Sequence, residues 1–465
     1  MGRVALIVFA ALVALLAAGR ASASTQELTL RMDDGVGLAA TLYEPDAAPP
    51  PAGFPAIVLF HALGGKRQDL TAVAQRFSSR FAVLTFDLRG HGQSGGLVSI
   101  DGPREIQDTR EVYDQLAARP EIDTTRIGAW GLSLGGGAVL RSLVQGVPWR
   151  AVETVETWTD LYSALAPQSL AKSGAIFSFL SSVPSDRLDP SVTAIRDDAF
   201  ASRNLPALKS WADQRSSRKL LSKVTTPVFM FQGRRDFAFD ISQATAAYPL
   251  LKGPKRLYVG DFGHAPSTFP GPDFTQMTTL GLAWFEKYLG SATTTIAPFT
   301  LAPSPWRGKV SSYKKLPATR PLKVSLPGND RLAGAGRAQR TSGPFTGNAE
   351  TFGPATVQVT AKLTGGWSRL VAVLTARRNG SDTVVSEGGA NTTGLKGTRH
   401  LTIQLIDTAT LIKHDARLTL TLASSSTAQN AGNLLYLNLP MPRTARIAVG
   451  AAKLTLPILK APVSR

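Results

Sequence analysis

Arg126-Ile-Gly-Ala-Trp-Gly-Leu-Ser-Leu-Gly-Gly-Gly-Ala-Val-Leu-Arg-Ser-Leu143 joins three signals without a break. Arg126 to Trp130 reads as a buried strand, Gly131-Leu-Ser-Leu-Gly135 is G-x-S-x-G, and the apolar run from Gly136 to Leu143 reads as a helix. Ser133 is therefore expected on a sharp strand-to-helix turn, with its hydroxyl exposed at the carboxyl end of a sheet. The flanking glycines let the chain fold tightly there, while the helix amino terminus and the Leu134 amide favour negative charge developing nearby. A Gly-rich turn holding an incidental serine is the plainer alternative. It would also have to explain the strand, the helix and the partners downstream.

A serine hydroxyl is a poor nucleophile at neutral pH, so a base must take its proton and a third group must fix the tautomer of that base. The chain has only five histidines, which keeps the search short. His400 and His414 fall in the all-β tail, and His61 and His91 precede the serine. His264, in Val259-Gly-Asp-Phe-Gly-His-Ala-Pro266, follows the last sheet strand, where the chain order serine, acid, histidine places the base. Asp236 is expected as the acid, in the turn after Pro227-Val-Phe-Met-Phe231, and Gly233-x-x-Asp directs its carboxylate inward. Asp240 competes, but is better placed to cap the next helix.

The oxyanion hole is expected to use two backbone amides, Leu134 and one from His61-Ala-Leu-Gly-Gly65. Leu63 is the choice there and Ala62 the alternative. Losing one such donor typically costs about 3 to 4 kcal/mol of barrier. Asp87-Leu-Arg-Gly-His-Gly-Gln-Ser-Gly95 reads as structural, its polar groups pinning the loop beside the serine, with His91 only a minor candidate for touching substrate.

Around this site, residues 24–290 alternate short β-branched runs with helical stretches, the pattern of a parallel sheet covered by helices. Asp33-Asp34-Gly35 joins an opening hairpin expected at one sheet edge. The Ser- and Ala-rich segment 157–223 interrupts the alternation and is read as a helical cap. After a linker at 291–318, residues 319–465 carry period-two strands, including Val357–Leu363, Leu370–Leu374, Leu401–Leu405, Arg417–Leu422 and Leu434–Leu439, with Asn379-Gly380 as a hairpin turn. They indicate a β-sandwich.

Residues 1–23 join one early positive charge to an apolar run and end in Ala21-Ser22-Ala23, the order of a cleavable secretory signal. An uncleaved anchor is the alternative. A secreted or extracytoplasmic protein is expected. With no cysteine, disulfides and thiolate metal sites are excluded, and isolated histidines offer no metal site; no cofactor is expected. The net charge of +18 would favour loose association with an anionic cell envelope. Its Lys and Arg are scattered and no nucleic-acid motif accompanies them, so nucleic acid is not an expected partner.

The order Asp34-Gly-Val-Gly-Leu-Ala-Ala-Thr-Leu-Tyr-Glu-Pro45, Asp87-x-Arg-Gly-x-Gly-x-Ser-Gly, Gly-x-Ser-x-Gly-Gly, Gly-x-x-Asp and Gly-His resembles α/β hydrolases of the X-Pro dipeptidyl-peptidase and cocaine-esterase family. The all-β tail strengthens the likeness, because that family carries a C-terminal jelly-roll domain, and Trp211-Ala-Asp-Gln-Arg-Ser216 looks like its cap exit. The resemblance implies an α/β-hydrolase fold with a helical cap followed by a jelly-roll-like sandwich. It also implies the triad Ser133, Asp236 and His264. Esterases and peptidases of that family often supply one oxyanion donor from a Tyr side chain; this chain has His61-Ala62-Leu63 there, so a backbone-only hole is expected.

The function implied is hydrolysis of a small ester or peptide through an acyl-serine intermediate. An aminopeptidase would need a carboxylate for the substrate ammonium, and Glu153, Glu156, Asp160, Asp186 and Asp189 are the candidates in or beside the cap. A second reading, from a different class, is an inactive envelope-binding protein that uses its basic surface and β-sandwich.

Overall fold

Strands β1 (Ser24–Arg31) and β2 (Gly37–Glu44) form the expected antiparallel hairpin, and Gly35 supplies the positive φ of its turn (+82°). The computed structural model describes residues 24–427 and 435–464. The leader read in residues 1–23 lies outside them. Among the described residues no helix is long and apolar enough to cross a membrane.

Six parallel strands follow: β3 (Phe54–Phe60), β4 (Ala82–Phe86), β5 (Ile122–Leu132), β6 (Val152–Val155), β7 (Val228–Gly233) and β8 (Lys255–Gly260). Their apolar runs reflect burial on both faces. In β3, Ala56, Val58 and Phe60 join one core while Ile57 and Leu59 join the opposite one. Helices α1 (Thr71–Phe77), α2 (Pro103–Ala117) and α3 (Leu134–Val144) cover the two faces: Val112, Leu116 and Leu140 join the first core, Phe77 the second. The cap consists of α4 (Leu161–Leu165), α5 (Ser173–Leu180), α6 (Pro190–Phe200) and α7 (Leu205–Asp213) with short 3-10 turns. Helices α8 (Ile241–Thr245) and α9 (Phe274–Tyr288) complete this part.

Within the stretch read as a linker, two short strands extend the main sheet instead. They are β9 (Phe299–Leu301), parallel to β8, and β10 (Ser311–Tyr313). Phe299 and Leu301 are fully buried, so the main sheet captures this segment by burying its apolar side chains. The sheet order is β1-β2-β4-β3-β5-β6-β7-β8-β9-β10. The loops leaving β5, β6, β7 and β8 therefore lie side by side at the carboxyl edge, which is where the candidate site forms.

The C-terminal part is built on two larger antiparallel sheets, beside a two-stranded pair of Ala349–Glu350 with Leu411–Ile412. One orders Thr319–Leu326, Arg446–Leu459, Thr356–Thr364 and Gly397–Gln404, and the other Ala338–Pro344, Arg417–Ala423, Arg369–Arg378 and Ser381–Asn391. Alternate residues such as Val359, Leu363, Leu374, Leu420 and Leu454 fill a shared core. Asn379 and Gly380 both take positive φ at the expected hairpin turn.

The strand expected at Leu434–Leu439 does not form over its described residues, 435–439. Leu435 and Tyr436 pack instead with Leu170 of the cap and Phe237. The backbone bonds are divided: the Gly174 amide of the cap donates to Leu435 O at 2.8 Å and the Leu437 amide donates to Ser173 Oγ at 2.9 Å, while Tyr436 exchanges bonds with Ser426, its amide donating to Ser426 Oγ and its carbonyl accepting from the Ser426 amide at 2.9 Å each. Contacts shared between the cap and the sandwich replace a ladder.

A buried ion pair ties the two parts together. Arg234, at the end of β7, pairs with Glu350, which also accepts from the Ser464 amide at 3.0 Å and hydroxyl at 2.7 Å. Both side chains are essentially excluded from solvent. Removing the carboxylate strands a buried guanidinium, a defect that typically costs about 3 to 5 kcal/mol. Glu350→Ala is expected to lower the denaturation midpoint by a corresponding amount; a wild-type unfolding curve would contradict this role.

Candidate active site

Ser133 sits between β5 and α3 with φ +53° and ψ −112°, a backbone setting costly for a non-glycine residue. The neighbouring glycines make it attainable. A Cβ at Gly131 would lie 2.2 Å from Gly135 O, and one at Gly135 would lie 2.3 Å from Phe60 O. The turn is then held by the Ser133 amide donating to Val155 O at 2.9 Å, and by Thr157 Oγ1 donating to Ser133 O at 2.7 Å.

Two further glycines bring the acid and the histidine together. Side chains at Gly233 or Gly263 would collide with Phe262 O at 2.3 Å or Asp236 Cβ at 2.9 Å, respectively. Asp236, fully buried, receives the Ala238 and Phe239 amides on Oδ1 at 2.9 and 2.8 Å. Its Oδ2 accepts from His264 Nδ1 at 2.7 Å and from the His264 amide at 3.3 Å. With Nδ1 carrying the proton, Nε2 is left to accept from Ser133 Oγ, 3.0 Å away. The three expected side chains are thus brought together, and Asp240 caps α8 by accepting from the Ser242 amide at 2.9 Å.

Burial by itself would lower the proton affinity of His264, but the charges of Asp236 and Glu156 and the Asp236 hydrogen bond outweigh it and raise it above the ordinary histidine value. Glu156 is the functional candidate that residue patterns left undistinguished. It is the first residue past β6, buried, with φ +40° and Oε2 without a hydrogen-bond partner. Burial pushes its carboxyl well above the usual range, and Asp236 adds to that while His264 opposes it. Its position beside β7, at the same sheet edge as the acid, is the signal that could have singled it out.

A base works only as the neutral imidazole, and a nearby negative charge favours the protonated form. Glu156, pushed up to about 8, is ionised over the range in which His264, raised to about 9, gives up its proton, so Glu156→Gln removes a charge there and the acidic limb of the kcat/KM profile is expected to move to lower pH. A limb that stays in place in a folded variant would contradict the coupling.

One donor atom each from Glu156, Asp236 and His264 lie within 4.8 Å of one another, the grouping nearest to a metal site among the described residues. Asp236 and His264 Nδ1 already bind each other, however, so a cation there would have to displace that hydrogen bond.

The other histidines have structural surroundings. His61 accepts from the Leu88 amide at 2.9 Å through Nε2 and donates to Ala62 O at 2.7 Å through Nδ1, and burial lowers its pKa to about 4. His91 is buried against it, with ring centroids 5.0 Å apart. His400 bonds Thr360 and His414 faces Asp415, both on the β-sandwich. Asp87 accepts from the Arg67 amide and guanidinium at 2.6 Å each and from the Gln93 amide at 2.8 Å, which pins its loop.

The Gly135 amide is bound to His61 O at 3.1 Å, which fastens the 61–65 turn to the elbow. Leu63 and Leu134 line the same cavity as Ser133. That cavity encloses about 630 Å³ of space, its open mouth included, under the cap. Of the carboxylates considered for an ammonium, Asp160 and Asp189 cap α4 and α6, and Glu153 is buried against Gly281 of α9. None of the five lines the cavity.

A model of the X-Pro dipeptidyl-peptidase (S15) family matches residues 34–266, half of the chain. The "Quorum-quenching protein AidA" of Acinetobacter baumannii is 34% identical over 133 residues, 28% of this chain and 43% of that protein. YcjY of Escherichia coli is 30% identical over 129 residues, 26% of this chain and 40% of its own length. The chain thus spans less than half the length of these curated relatives. A CocE/NonD family hydrolase from Staphylococcus aureus superposes with a TM-score of 0.70 over 94% of each chain at 14% identity. An alpha-amino acid ester hydrolase superposes with a TM-score of 0.70 over 96% of this chain and 98% of its own, also at 14% identity. At that identity the likeness is one of fold: an α/β-hydrolase core with its β-sandwich.

Proposed function

The chain belongs to the X-Pro dipeptidyl-peptidase (S15) family, and on that premise we propose that it is a serine hydrolase, transferring an acyl group to water through an ester on Ser133. The observation that carries this reading is the hydrogen-bonded series from Ser133 Oγ to His264 Nε2 and from Nδ1 to Asp236, at 3.0 and 2.7 Å. His264 takes the serine proton as Oγ attacks a carbonyl carbon, then gives it to the leaving group; in the second half it deprotonates the attacking water. The amides of Leu134 and Leu63 are assigned to the oxyanion. The order of residues 1–23, a positive charge, an apolar run and Ala21-Ser22-Ala23, supports reading the protein as acting outside the cytoplasm.

A common acyl-enzyme partitions between water and added alcohol in a ratio independent of the departed group. Methanolysis of phenyl and p-nitrophenyl butyrate tests this. The same ratio of methyl butyrate to butyrate is expected from both, and a ratio that varies with the leaving group would count against the intermediate.

A further inference from the structure

We propose that the acyl side of the substrate is an uncharged apolar chain, so that the physiological bond is an ester of a medium-length acid and not the bond after an N-terminal dipeptide. This rests on the serine-hydrolase reading and specifies what it acts on. The cavity beside Ser133 is walled by Leu63, Trp158, Leu161, Ile176, Phe179 and Phe239 among others. Among the described residues the one charged side chain lining it is that of Arg196, which is partly exposed and pairs with Asp197 at 3.0 Å; of the two indoles in the wall, Trp158 donates to Arg215 O and Trp211 Nε1 has no partner. An ammonium brought there would lose its water, gain no carboxylate and meet a like charge.

The apolar wall is built rather than incidental. Ile100 enters it from a backbone with φ +56°, followed by Asp101 at +55°, a setting that a β-branched residue adopts only when neighbours enforce it. The enforcement comes from buried Glu105, which accepts from the Ser99 and Asp101 amides at 2.6 and 2.5 Å. On the cap side, Trp211 is backed by the Arg215 guanidinium stacked 3.9 Å from its ring. The strained Ile100 and the braced Trp211 both line the space next to the nucleophile.

Buried methylenes contribute about 0.8 kcal/mol each, equivalent to about four-fold in kcat/KM while the cavity has room. The test uses p-nitrophenyl esters from acetate to decanoate, the matched pair hexanoate and norleucine, which differ by one α-ammonium, and glycyl-prolyl p-nitroanilide. The expected result is a rise with chain length beyond acetate and a preference for hexanoate over norleucine of about a hundredfold, from burying an unpaired ammonium. Ala199→Leu, which fills part of the cavity, should move the optimum to shorter chains. A flat chain-length series, or preference for norleucine or the anilide, overturns the inference while leaving the hydrolase reading intact. Failure of a fluorophosphonate to label Ser133 overturns both.

Discussion

Ser133→Ala is expected to lower kcat for ester hydrolysis by about 10⁶, leaving KM little changed. The methyl group keeps the buried shape of the elbow but has no oxygen to form the acyl bond, and His264 then has only water to activate. The cavity walls and the amides of Leu134 and Leu63 remain, so substrate still binds and some rate over solution persists, of the order of 10³. The measurement is steady-state turnover of p-nitrophenyl hexanoate, with melting curves to establish that the fold survives. A variant within tenfold of wild type would remove Ser133 from the chemistry.

Asp236→Asn should cost about 10⁴ in kcat/KM, for a reason that its surroundings make specific. Two amides, Ala238 and Phe239, already point at Oδ1, so the oxygen of an asparagine must stay on that side. Its NH₂ is then forced toward His264, where Nδ1 donates at 2.7 Å in the wild type. Two donors cannot face each other, so the imidazole shifts its proton to Nε2 and can no longer accept one from Ser133. Fold and substrate binding should be retained. A loss of less than about tenfold would mean that Asp236 does not set the tautomer.

Much of this site is legible in the chain because its parts are local. The elbow needs Gly131 and Gly135 within a few residues of Ser133, and Gly233 and Gly263 mark the two turns that must touch. Strand order then carries the acid and the base to the same edge as the nucleophile. Contributions made by distant partners are not legible in this way. Glu156 looks like any acidic residue until β6 sets it beside Asp236 and His264. Glu350 is anonymous until Arg234 meets it from the other half of the molecule. The three-residue strands β9 and β10 are too short to show a period, and Leu435 and Tyr436 look like strand residues but pack in a cluster shared by the cap and the sandwich. Burial and pairing across long sequence separations decide these cases, and neither leaves a local pattern.

The alignment of Ser133, His264 and Asp236 implies an unusually reactive serine, and the most direct measurement of it is the mass of the protein after exposure to a fluorophosphonate. Folded protein should gain one adduct, mapped to the peptide containing Ser133, and neither Ser133→Ala nor denatured protein should gain it. Folded protein that stays unmodified, or carries the adduct on another residue, would contradict the assignment.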